Sequence, residues 1–142
     1  ALRQQSLAQT EEQRNGYLER FVGGMLRNQS RLPEAMSDAK ASDPNVTAQA
    51  YYDLLTTDLR AQLARFTGPL SVLWVVPTGA PVSEEMMGLF YQTSFAAAPN
   101  KTITHIPNSA HFIMCDVPDR FHRELRNFLS PNGGVPTTGP PR

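Results

Sequence analysis

The chain has 142 residues with 13 basic and 13 acidic side chains, so length allows one domain at most, or a piece of a larger one. Zero net charge removes the electrostatic signal expected of a nucleic-acid or anionic-membrane binder, which needs a basic surplus. One cysteine, Cys115, excludes an internal disulfide framework and any multi-cysteine metal site.

From Thr10 to Arg27, apolar Tyr17, Leu18, Phe21, Val22, Met25 and Leu26 recur at helical spacing. Thr10 with Glu11, Glu12 and Gln13 forms a capping-box pattern at its start, and Asn28 to Arg31 closes it. Pro33 opens a second short helix. Asp43-Pro44-Asn45 reads as a break, because a residue before proline leaves the α region. Helix resumes from Thr47 through Tyr51, Tyr52, Leu54 and Leu55. Asp58 is then expected to cap a helix over Leu59 to Phe66, with Leu59, Leu63 and Phe66 on one face.

Gly68-Pro69 changes the pattern. Leu70 to Val76 is apolar and rich in β-branched residues, as a strand buried on both faces would be. Residues 77–81 form a loop, and Ser83 with Glu84 and Glu85 opens a helix to about Ala97 that is expected to bury Met86, Leu89, Phe90 and Phe95. A second strand runs from Lys101 to Ile106, Pro107 to Ala110 is a loop, and Val117-Pro118 starts a last helix with Phe121, Leu125, Phe128 and Leu129 inward. Four prolines and three glycines in the last 12 residues predict a disordered tail over 131–142. The longest apolar stretch, Leu70 to Pro77, is far short of the ~20 residues that span a bilayer, and no charged region followed by an apolar one marks a signal peptide.

The second half is thus strand, helix, strand, helix: an α/β arrangement with parallel strands. Two such strands cannot stand alone. A strand apolar on both faces needs neighbouring strands and flanking helices, so the chain is expected to be part of a larger fold. A start at Ala1 rather than Met fits the same expectation of something removed upstream.

Three histidines are candidates for chemistry. His111 follows the second strand, where open parallel sheets bind ligands, and an imidazole that can take and return a proton suits a general base. The alternative is a loop histidine bonded to backbone. His105, within the strand, is expected to fill a sheet face, and His122 beside Arg123 to face solvent. A metal site from His105, His111 and Asp116 matches no compact ligand spacing. Cys115 lies four residues beyond His111 on the same segment and reads as a small core thiol rather than a nucleophile. Three glycosylation-type triplets, at Asn28, Asn45 and Asn100, are of a kind that arises often by chance.

Tyr51 to Leu63 (YYDLLTTDLRAQL), Gly68-Pro69 before the apolar strand, the 83–97 helix, and Ile106 to Met114 (IPNSAHFIM) together resemble the C-terminal half of an α/β-hydrolase. Asp116-Val117-Pro118-Asp119-Arg120-Phe121 leading into Leu125, Phe128 and Leu129 completes the likeness, which covers about Ala50 to Leu129. The resemblance implies a helical cap over 1–56 and the last part of the hydrolase core over 57–130, a parallel sheet completed by an N-terminal partner chain. It makes His111 the catalytic base, and the implied substrate is a small carboxylic ester or similar molecule. Phe112, Met114, Tyr51, Tyr52, Phe21 and Met25 would line the substrate pocket; the reading calls for no cofactor and no metal. Two features depart from the family pattern. No Gly-x-Ser-x-Gly occurs, so nucleophile and oxyanion hole would belong to the partner. Ala80 stands where the acid is often found, and Glu84 nearby reads as a helix cap. That vacancy keeps a second reading open, a binding module without catalysis. Two lysines against eleven arginines, with abundant Asn, Gln and Thr, point toward an exported bacterial protein.

Overall fold

The computed structural model describes residues 10–77 and 79–130. The expected tail over 131–142 and the start at Ala1 lie outside the described residues. The chain divides into two compact units between Asp58 and Leu59.

The first unit is helical. Helix α1 spans Glu11–Gly24, and its N-cap is the expected capping box: Gln13 N–H donates to Thr10 Oγ1 at 3.2 Å, while Thr10 N–H donates to Gln13 Oε1 at 3.0 Å. After α1 the chain turns through a short 3-10 segment, Gln29–Arg31, and Gln29 Nε2 donates to the carbonyls of Gly23 and Leu26. Helix α2, Leu32–Ala41, carries Pro33 in its first turn and packs back on α1, so that Val22, Leu26 and Met36 are buried. Tyr17, one of the apolar stripe, is instead 45% exposed, stacked on Phe21. Helix α3 runs Pro44–Thr56 and so begins at Pro44, before the expected Thr47. The Asp43 carboxylate explains this, because Oδ1 accepts the Asn45 and Val46 amide hydrogens and proline suits the first turn.

The second unit is α/β. Its first helix, α4, is a single turn, Arg60–Leu63, in place of the expected helix to Phe66. Leu59, not the expected Asp58, holds the cap position, and it provides no side-chain acceptor. Leu59 and Phe66 are both exposed. Strand β1, Leu70–Trp74, and strand β2, Lys101–His105, form a parallel two-stranded sheet in which Leu70 faces Lys101 and Trp74 faces His105. The ladder is tied at its start by Leu70 N–H to Asn100 O (2.8 Å) and by Asn100 Nδ2 to Thr67 O (2.8 Å). Lys101 Nζ donates to Ala96 O and Ala98 O, fixing the end of the crossover.

The crossover helix α5 is Glu84–Ser94, with Ser83 Oγ accepting the Met86 amide hydrogen at 3.1 Å. Its inward face differs from the expected one. Gly88 and Tyr91 turn to Trp74: a Cβ at Gly88 would lie 3.4 Å from the indole, and the Tyr91 ring stacks on it at 5.6 Å. Met86, Leu89 and Phe90 consequently point outward, each at least 60% exposed, while Phe95 is half-buried. The one-turn helix α6, Ile113–Asp116, leads into α7, Pro118–Leu129. Phe121 packs with Leu73 and Val117 against the buried trio Val75, Ile106 and Ile113. Leu125 and Leu129, expected inward, are exposed, because this small sheet reaches only the first turn of α7. Most of β1 is half-buried rather than covered on both faces, for the same reason. Among the described residues seven α-helices and two strands are formed, and no helix is long and apolar enough to cross a membrane.

Candidate functional site

The register of the sheet sets the site. Trp74 and His105 are paired and each is the last residue of its strand, so both strands run out at one level. Two segments leave that edge: 75–83 toward α5 and 106–112 toward α6.

The 106–112 segment is held firmly. Ile106 N–H donates to Trp74 O at 2.8 Å, extending the ladder by one bond, and its side chain is 1% exposed. Burial of an isoleucine this complete contributes about 1.5–3 kcal/mol. Pro107 and Asn108 then reverse the chain, with Asn108 at φ 61°, a left-handed conformation that asparagine tolerates better than most residues. Ser109 and Ala110 are buried beneath the turn. The Asp116 carboxylate binds them from α6: Oδ2 accepts the Ala110 amide hydrogen at 2.7 Å and lies 3.3 Å from Ser109 Oγ. Ser109 Oγ is also 3.0 Å from Ala110 O, and its single hydroxyl proton serves one of these acceptors at a time.

His111 follows directly. Its side chain is exposed, its carbonyl accepts the Ile113 amide hydrogen, and its ring meets that of Phe112 edge-on at 5.6 Å. Among the described residues no carboxylate is bonded to the His111 imidazole. Ala80 lies in a turn closed by its own N–H to Pro77 O and supplies no acid. Phe112 is half-buried and Met114 exposed, on either side of the buried Ile113. The remaining pocket candidates belong to the helical unit. There Phe21 and Met25 are half-buried, Tyr51 and Tyr52 are exposed, and Phe21 meets Tyr51 edge-on at 6.1 Å.

Glu84 does more than lie in a first turn. Its Oε1 is 2.8 Å from Nδ1 of His105, and the imidazole stacks on Trp74 with ring centroids 4.3 Å apart. The expectation that His105 fills a sheet face holds, and His122 is exposed as expected. The Glu84–His105 pairing was not read from the sequence. The signal was present as an acid opening the helix after one strand and a histidine closing the next, but only the parallel register joins them. With Glu84 68% exposed, the pair contributes about 0–1 kcal/mol to stability; the stack on a buried indole contributes about 0.5–1.5 kcal/mol. Packing, more than charge, holds the ring.

The amide side chains of two glycosylation-type triplets are engaged: Asn28 Oδ1 accepts from Ser30, and Asn100 donates to Thr67. Among the described residues no group of three or more His, Cys, Asp or Glu side chains could hold a metal ion. Compared with protein-family models, with curated proteins and with solved structures, the chain has no match.

Proposed function

We propose that the chain is the C-terminal part of an α/β-hydrolase that acts on a carboxylic ester or similar small molecule. In this reading, His111 is the general base and acid, and an N-terminal partner chain supplies the nucleophilic serine, the oxyanion hole and the triad acid. The observation that carries the reading is the site of His111. An exposed imidazole stands on a pinned loop just past the carboxyl end of a parallel strand, where such sheets bind ligands. His111 would take the serine proton as the serine attacks the ester carbonyl, then return it to the leaving alcohol. The need for a partner is supported by the half-covered β1 and by the apolar residues that α5 and α7 leave outside.

The test is the native mass of the purified particle, then labelling with a fluorophosphonate. A second chain that takes the label supports the split hydrolase; a lone chain that never labels removes it. The second reading, a hydrolase-like binding module, is favoured by one observation: Ala80 at the expected acid position, with Glu84, in the first turn after that loop, paired to His105. A partner that co-purifies but resists the label would point to this module.

A further inference from the structure

His105 is paired with Glu84 and stacked on Trp74 at the end of β2, and the role given to His111 does not involve it. A carboxylate oxygen only accepts, so the contact with Glu84 puts a proton on Nδ1, and in the neutral imidazole the lone pair is then on Nε2. The stack on Trp74 fixes the ring plane and therefore the direction of Nε2. Among the described residues Nε2 has no hydrogen-bond partner, and about a fifth of the side chain (21%) stays open to solvent. Ser83 caps α5 and so places Glu84 in its first turn, facing the end of β2. Both residues lie at the carboxyl edge of the parallel strands.

We propose that Glu84 and His105 form a proton-transfer couple for a hydroxyl-bearing ligand at this edge. Nε2 takes the hydroxyl proton, the oxygen keeps the electron pair, and Glu84 balances the imidazolium through the retained Nδ1–H bond. His105 is the group that meets the ligand; Glu84 is its positioning residue. The couple works without the serine partner and stands or falls separately from His111.

The test is carbethoxylation of the full chain by diethyl pyrocarbonate at neutral pH, followed residue by residue by peptide mass spectrometry. In that reaction Nε2 attacks the reagent's carbonyl carbon, ethyl carbonate leaves, and the Nδ1 proton passes to Glu84. His122, exposed on α7, is the internal reference. His105 is expected to react severalfold faster than His122 although it is less exposed, and Glu84→Gln is expected to remove that advantage with His122 unchanged. A His105 slower than His122, or one indifferent to Glu84→Gln, overturns the couple and leaves His105 a packing residue. If Glu84→Gln loses its helical circular dichroism, the comparison of His105 with His122 in the unaltered chain decides alone.

Discussion

Asp116 takes the amide hydrogen of Ala110, six positions earlier, at 2.7 Å, beside the buried Ser109. One carboxylate therefore fixes the backbone immediately before His111. Asp116→Ala would leave the Ala110 N–H without this acceptor, and a buried group stranded in this way costs about 1–3 kcal/mol. The urea midpoint should fall accordingly, with Asp116→Asn intermediate because its amide oxygen can still accept.

His111→Ala should behave differently. The imidazole is exposed and holds no side-chain hydrogen bond among the described residues, so stability should change by less than about 0.5 kcal/mol. If the chain is the hydrolase part proposed above, ester turnover of the assembled particle should drop by several orders of magnitude with KM little altered. Steady-state kinetics on the purified complex check both values, and retained turnover removes His111 from the mechanism.

Trp74 is a large buried side chain at the end of β1. It is 7% exposed and stacked by Tyr91 on one strand-to-helix contact and by His105 on the sheet. Trp74→Ala should cost about 3–5 kcal/mol, read as a shifted denaturant midpoint. Ser83→Ala, which removes only the α5 cap, should cost about 1 kcal/mol in the same measurement.

Leu89 and Phe90 provide a test of assembly. Both are at least 60% exposed, so Leu89→Lys and Phe90→Ser should leave the chain's own stability within about 0.5 kcal/mol. If a partner chain covers α5, the same changes should lower its yield in native mass spectrometry.

Local chemistry was legible in the residues. The capping hydroxyls of Thr10 and Ser83, the start of α2 around Pro33, both strands and the Pro107 turn depend on neighbours within a few positions. The inward face of α5 was not legible. Met86, Met87, Leu89, Phe90, Tyr91 and Phe95 surround so much of the helix that several faces look apolar, and only the position of Trp74 selects Gly88 and Tyr91. The pairing of Glu84 with His105 was hidden for a related reason. It joins residues 21 positions apart through a register that no local pattern specifies. The His111 loop is legible from its place after a strand, whereas the bond by which Asp116 pins it is not, because neither the metal-ligand spacing nor the family likeness points that carboxylate at the Ala110 amide.

The chain contains a single tryptophan, and that residue ends β1, touches α5 through Tyr91 and meets β2 through His105. Its indole is thus an optical reporter placed where three separate stretches of sequence converge. The Tyr91 ring lies 5.6 Å from the indole, which is 7% exposed, so red-shifted emission from Trp74 signals that the crossover has come away. The formation of the α/β unit can be followed by its own light, without an added dye.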